Sequence, residues 1–137
     1  MSSFKIFDIA GSGMSAQSVR LNTVASNLAN AESVSGDPNS VYKARHPVFE
    51  AVRASVAGAD PGAAVRIKQI TEDTAQPAAR YEPGNPLANA DGYVFAPNVN
   101  AVEEMVDMIS ASRSYQNNIE VMNTSKELLL ATLRLGQ

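Results

Sequence analysis

Cysteine is absent from the 137 residues, so neither a disulfide framework nor a thiolate metal site is available. Reducing and oxidising surroundings both tolerate such a chain, and the absence fixes no compartment. Histidine occurs once, as His46, directly before Pro47 in a region of strand-like alternation. With no second histidine it has no partner for a metal or a nucleophile, and is read as structural or exposed. No apolar run approaches the ~20 residues that a membrane-spanning helix needs. Charge of one sign is not concentrated either: 14 acidic and 11 basic residues leave a net charge of −3, with no basic stripe of the kind that phosphate backbones require. Nucleic acid is excluded as a partner on that ground. The N-terminal stretch MSSFKIFDIAGSG has one lysine ahead of a short apolar run broken by Asp8, too weak for a cleaved secretory signal, so any export is expected to use another route. What remains, with 45% apolar residues, is the composition of one ordinary soluble domain.

Helix breakers are also scarce at both ends. All seven prolines fall between Pro38 and Pro97, and five of the eight glycines between Gly36 and Gly92, which divides the chain in three. From Phe7 onward, Phe7, Ala10, Met14, Gln17, Leu21, Val24, Leu28 and Ala31 alternate by three and four, the rhythm of a coiled-coil seam. Ser2 or Ser3 can cap its start, and Gly36, Asp37 and Pro38 stop whatever passes Ser33. Gly11 and Gly13 weaken the first turns by about 1 kcal/mol each. At the other end Ala101, Met105, Met108, Ser112, Tyr115, Ile119, Met122, Lys126, Leu129 and Leu133 keep the same rhythm. Asn100 as N-cap with Glu103 three residues on approximates a capping box. Glu103, Glu104 and Asp107 suit the positive end of the helix dipole, and Arg134 the negative end. From Asn100 to Leu135 such a helix runs roughly 54 Å at 1.5 Å per residue. Between the helices, VYKARHPVFEAV and AVRIKQI alternate as strands do, SVAGADPGAA and EDTAQPAARYEPGNPLANADGY read as connectors, and GYVFAPNVN as an extended lead into the second helix.

The expected fold is therefore mainly α. Long N- and C-terminal helices pair as an antiparallel coiled-coil hairpin, residues 1–35 and 98–137 forming one inner coiled-coil domain, with a small irregular and β middle segment at 36–97. The intrachain seam is assigned to Phe7, Met14, Leu21, Val24 and Leu28 on the first helix, and to Met105, Met108, Tyr115, Ile119, Met122, Leu129 and Leu133 on the second.

Two helices packed only on each other leave apolar surface uncovered. Val102, Val106 and Ile109 flank the second seam, and Leu128, Leu129 and Leu130 sweep about 200° of the helix, since successive residues are ~100° apart. One partner helix covers one side only, which points to burial against other chains. The stretch LNTVASNLANAES carries asparagines where a self-contained helix favours Ala, Lys or Glu, at up to roughly 0.7 kcal/mol each. Amides that fix register between neighbouring helices give a reason, so Asn22, Asn27 and Asn30, together with Asn117, Asn118, Val102, Val106, Ile109, Leu128 and Leu130, are assigned to a subunit interface. The plainer alternative is that Asn27 and Asn30 fray a helix end before a turn.

Enzyme-like signals are thin. Gly11-Ser12-Gly13-Met14-Ser15-Ala16 matches G-x-G-x-x-A, and Glu32 lies where a ribose-binding acid could sit, but no βαβ crossover accompanies it. Glu103 and Asp107 share a helix face without matching acids from a second helix. Met14, Met105, Met108 and Met122 suit adaptable packing. No catalytic residue, cofactor, metal or small-molecule substrate is expected.

SNLANAES at 26–33 closely resembles the N-terminal motif of bacterial flagellar axial proteins, and EEMVDMISASRSYQNN at 103–118 resembles their C-terminal helix; rod and hook proteins share both. The short length, YKARHPVFEA at 42–51 and DGYVFAPNVN at 91–100 resemble more specifically the proximal-rod family of the FlgC type. The resemblance implies a structural subunit of the flagellar drive shaft, exported without a cleaved signal through the flagellar type III apparatus and polymerised in the periplasm. It further implies terminal helices forming the inner layer of a helical tube, with the middle segment outside. Implied partners are copies of the chain itself, the other proximal-rod proteins, the distal-rod protein, and the adaptor joining rod to export gate and membrane ring. A rod or hook-type axial protein of another position, or a soluble helical-hairpin export chaperone, shares the periodicity and remains the alternative.

Overall fold

The scarcity of helix breakers at both ends is expressed as two long helices. In the computed structural model, which describes residues 3–53 and 62–136, the order is α1 (Ser3–Asn30), β1 (Arg45–Arg53), β2 (Ala63–Glu72), β3 (Ala78–Tyr81), β4 (Tyr93–Ala96) and α2 (Ala101–Leu135). The expected cap at Ser2 and most of the connector SVAGADPGAA lie outside the described residues. The helices are 28 and 35 residues long. α2 begins where the capping pattern places it: the Asn100 side chain accepts from the backbone N–H of Val102 and Glu103, satisfying two of the four donors that a helix start leaves open. α1 ends less sharply, in turns that bond Ala31 N to Leu28 O and Ser33 N to Asn30 O.

The middle folds as two antiparallel hairpins. β1 pairs with β2 from Arg45 opposite Glu72 to Arg53 opposite Ala63, with a bulge that leaves Lys68 as the extra residue facing the Val48–Phe49 step. Cross-strand ion pairs, Arg45 with Glu72 at 3.2 Å and Arg66 with Glu50 at 2.8 Å, accompany this register. β3 pairs with β4 and ends on an edge-to-face pair of Tyr81 and Tyr93, 5.2 Å between ring centroids. β3 lies inside EDTAQPAARYEPGNPLANADGY, a stretch expected to be all connector, because Ala78–Tyr81 finds a partner in the extended GYVFAPNVN that local propensity alone does not reveal. Ser35 adds a bridge on the other side of β4 through Phe95. The backbone crosses so tightly there that a Cβ on Gly36 would lie 2.6 Å from the Leu87 carbonyl oxygen.

α1 is covered on two sides. One faces the first hairpin, where Ser12 Oγ accepts from Val65 N at 3.1 Å while donating to Ile9 O, and where Ala16 and Thr23 are buried. The other faces α2. Asn27 Nδ2 donates to Glu104 Oε1 at 2.9 Å, Arg20 pairs with Asp107 at 2.7 Å, Gly13 lies against Asn118, and Ile6 shares a cavity wall with Ser125 and Leu129. These contacts run in opposite order along the two helices, which therefore lie side by side and antiparallel.

The expected seam is corrected in one of its two alternating rows on each helix, which is displaced by one residue, while Val24, Met108, Tyr115, Met122 and Leu129 stay buried or half-buried. On α1 the line meeting α2 passes through Ile6, Gly13, Arg20 and Asn27, while Phe7, Met14, Leu21 and Leu28 sit beside it, half-buried; Val24 is buried. On α2, Met108, Tyr115, Met122 and Leu129 are half-buried, but Met105, Ile119 and Leu133 are exposed, Leu133 by 67%. Their expected places are taken by Glu104 and Ala111, both buried, and by Asn118 and Ser125, both half-buried. Two adjacent lines on a helix share the three-four spacing, so periodicity alone does not choose between them. Size and polarity choose: small residues let the backbones approach, while Arg20 pairs with Asp107 and Asn27 with Glu104 Oε1 across the gap.

Candidate assembly surface

Asn27 sits in the last turns of α1 and is wholly buried, at 0% exposure. Its Nδ2 donates to the Arg45 carbonyl at 2.9 Å and to Glu104 Oε1 at 2.9 Å; its Oδ1 accepts from the Tyr42 hydroxyl at 2.8 Å and from Arg45 N at 3.0 Å. An amide has two donors and two acceptor lone pairs, and all four are used within the chain. The assignment of Asn27 to contact with another subunit is thereby corrected: no hydrogen-bonding capacity is left for it. Instead one side chain ties α1, α2 and the start of β1 together, joining the SNLANAES and EEMVDM stretches physically. Tyr42, held also by Ser26 Oγ at 3.1 Å, closes the knot.

Glu104, the α2 member, is only 6% exposed, and its Oε2 has no hydrogen-bond partner; neither has the buried Oε1 of Gln17. The other asparagines differ from Asn27. Asn30 is half-buried and donates to the Ser26 carbonyl one turn back, while Ser33 bonds to the Asn30 carbonyl, the behaviour of a helix-end residue. Asn22 and Asn117 are exposed, and Asn118 is half-buried against Gly13.

The large apolar side chains lie elsewhere, on the outside of α2. Val102, Met105, Val106 and Ile109 are all more than half exposed, Val102 by 69%, at the i, i+3, i+4, i+7 spacing that makes one stripe. The stripe lies on the side of α2 away from Glu104, Met108 and Ala111, so α1 cannot cover it. Leu128, Leu130, Leu133 and Leu135 form a second exposed region at the C-terminal end, where Leu128 and the half-buried Leu129 also border a cavity with Ile6. Isolated exposed leucines are ordinary, but two groups of four on one helix exceed that background. Covering each such side chain is worth roughly 1 kcal/mol or more from apolar area.

The competing chemical signals find no support in this placement. Gly11 to Ala16 lies inside α1 rather than at a turn from strand to helix, so the glycine pattern lacks the βαβ context that gives it meaning. Gly13 has another use: a Cβ there would sit 2.8 Å from Asn118 Nδ2, so glycine is what lets α2 come close. His46 is exposed on β1, Glu103 is exposed, and Asp107 is engaged by Arg20. Among the described residues no group of three or more His, Asp or Glu side chains could hold a metal ion, and no helix is long and apolar enough to cross a membrane.

Sequence reasoning missed Glu104, Arg20, Gly13, Tyr42 and Arg45. Glu104 has one legible sign, since it continues the three-four spacing from Ala101 to Met108, but an acid in the first turn suits the helix dipole equally well.

Comparison with known proteins finds family matches at both ends of the chain. Residues 7–36 match the family model described as flagella basal body rod protein, and residues 90–135 match that of the flagellar basal body rod FlgEFG protein C-terminal region. Flagellar basal-body rod protein FlgC of Yersinia enterocolitica is 55% identical over 137 residues, and that of Salmonella typhimurium 54%, each covering 100% of both chains. The FlgC protein of Aquifex aeolicus is 44% identical over 96% of both chains. With two terminal family matches and full-length identity above half to such relatives, the chain belongs to the FlgC proximal-rod family of flagellar basal-body rod proteins.

Proposed function

We propose that the chain is a structural subunit of the flagellar proximal rod that polymerises through the outward faces of its terminal helices. The observation carrying this reading is the pair of uncovered apolar groups on α2, Val102 with Val106 and Ile109 near its start, and Leu128 with Leu130 near its end. A chain that functioned alone would leave that area in water. Asn22 and Asn117, both exposed, are the amides placed to add hydrogen bonds between copies, whereas Asn118 is taken up against Gly13 of its own chain. The terminal helices act as an antiparallel coiled-coil hairpin, residues 1–35 with 98–137, forming the inner layer of a tube, while 36–97 lies outside it. The tightness of the pairing at Gly13 and the polar ties at Arg20 and Asn27 support a hairpin stiff enough to transmit torque.

Partners on this reading are further copies of the chain, the other proximal-rod proteins, the distal-rod protein, and the adaptor between rod, export gate and membrane ring. Delivery is by the flagellar type III apparatus without a cleaved signal, and the site is the periplasmic part of the basal body. Work of this kind is mechanical and requires no bound cofactor or reaction.

The test is a strain whose only copy carries Val106→Asp with Ile109→Asp. Both positions are exposed, so folding should change by no more than about 0.5 kcal/mol each, and the chain should be made and exported normally. Basal bodies isolated from it should lack rods. Normal rods and normal swimming would show that the stripe is not an interface. Intact mass of protein recovered from wild-type basal bodies tests the export route, and a product starting well inside FKIFDIA would contradict it.

A further inference from the structure

We infer that Asn27 is the register key of the helix pair: it holds α1 and α2 in one alignment against a competing alignment shifted by one heptad, in which Arg20 would take its place on Glu104. Asn27 faces Glu104 and Gly13 faces Asn118, fourteen residues apart on either helix, so a single register holds over two heptads. Moving one helix by seven residues, about 10.5 Å at 1.5 Å per residue, brings Arg20 to Glu104, Gly13 to Ala111 and Ile6 to Asn118.

Nothing in the shape of the interface forbids this. Many of the buried and half-buried residues of the two helices are small or adaptable, with Ala10, Gly13 and Val24 on α1 and Ala101, Met108 and Ala111 on α2, so apolar packing discriminates weakly between the two alignments. Electrostatics does not discriminate either. Arg20 is paired with Asp107 at 2.7 Å in the observed register, and in the shifted one it would exchange that carboxylate for Glu104. The shifted register even offers something the observed one lacks, a donor for Glu104 Oε2, which is buried without a partner.

What the shift loses is Asn27. Its amide would pass beyond the start of α2, opposite the residues before Asn100, and its bond to Glu104 would break. The same Nδ2 also holds the Arg45 carbonyl, and Oδ1 holds Arg45 N, so the amide fixes α2 relative to both α1 and the first hairpin. A buried polar residue specifying alignment where apolar contacts are permissive is a known use of asparagine in paired helices.

The chain has no cysteine of its own, so engineered pairs read the register directly. Ile6→Cys with Ser125→Cys reports the observed alignment; Ile6→Cys with Asn118→Cys reports the shifted one, since a full heptad separates Ile6 from Asn118 otherwise, beyond disulfide reach. In the purified full-length chain with Asn27 intact, only the first pair should close within one molecule. With Asn27→Ala added, the second pair should become a major product and the yield of the first should fall. Adding Arg20→Ala to that background should suppress the second again. The inference is overturned by closure of the first pair alone at undiminished yield in the Asn27→Ala chain, by closure of the second pair while Asn27 is intact, or by closure of neither pair without Asn27, which would make the residue a general clasp and not a selector of register.

Discussion

Two glycines two residues apart, Gly11 and Gly13, should respond oppositely to the same substitution. In a helix interior, Gly→Ala is worth about 1 kcal/mol of added stability, through lower backbone entropy in the unfolded chain and better propensity. A Cβ on Gly11 would meet nothing within 4 Å, so Gly11→Ala should realise that gain. A Cβ on Gly13 would lie 2.8 Å from Asn118 Nδ2 and 3.1 Å from its Cγ, closer than non-bonded carbon tolerates. Either the Asn118 amide turns away or the helices separate, and overpacking of this kind costs about 1 to 3 kcal/mol. The net result for Gly13→Ala is a loss of roughly 0 to 2 kcal/mol. Adding Asn118→Ala removes the obstruction, so the double variant should recover the gain seen at Gly11. Urea unfolding of the full-length chain followed by circular dichroism at the helix band resolves differences of this size, read as shifts of midpoint at constant slope. If Gly13→Ala raises the midpoint as much as Gly11→Ala does, α2 does not approach α1 at this level, and the antiparallel pairing described here is wrong.

Asn27→Ala should lower stability by about 3 to 5 kcal/mol, because it leaves the buried Glu104 Oε1 without a partner and removes the part-buried bonds to the Arg45 backbone, whereas Asn22→Ala, on the exposed face, should be neutral or slightly stabilising in the same urea titration. Met108→Asp, which would put a carboxylate into the half-buried line facing α1, should cost several kcal/mol and fail at folding as well as at assembly; native-like stability in that variant would move Met108 out of the contact. Arg20→Ala should cost no more than about 1 kcal/mol, since Asp107 is 47% exposed and such pairs are screened, and the difference from the unsubstituted chain should shrink in 1 M salt; a large, salt-independent loss would show that the guanidinium serves packing instead.

How much of this was legible depended on the kind of signal. The two helices were, because all seven prolines lie between them, and Asn100 announced the start of α2 by its capping chemistry. The first hairpin was, because VFEAV and AVRIKQI alternate. The phase of the helix contact was not. Counting apolar residues at three-four spacing selects the line with the largest side chains, Met105, Ile119 and Leu133, which this single chain leaves in water. The line that meets α1 mixes Met108 and Leu129 with polar and small residues, and becomes recognisable only when Arg20 is seen opposite Asp107 and Asn27 opposite Glu104, pairs separated by 87 and 77 residues in sequence. The asparagines split for the same reason. Their helix propensity flags Asn22, Asn27 and Asn30 alike, but only the tertiary position of Tyr42 and Arg45 shows that Asn27 faces inward. β3 was hidden because four residues of AARY have no periodicity long enough to read.

The most direct test of the central proposal is a density map of the subunit within rods isolated on intact basal bodies, read residue by residue. Val102, Val106, Ile109, Leu128 and Leu130 should then lie within about 4.5 Å of side chains from neighbouring subunits, while Asn27 keeps Glu104, Tyr42 and Arg45 of its own chain as partners. A map in which those five side chains still face solvent, or in which Asn27 reaches across to another subunit, would contradict it.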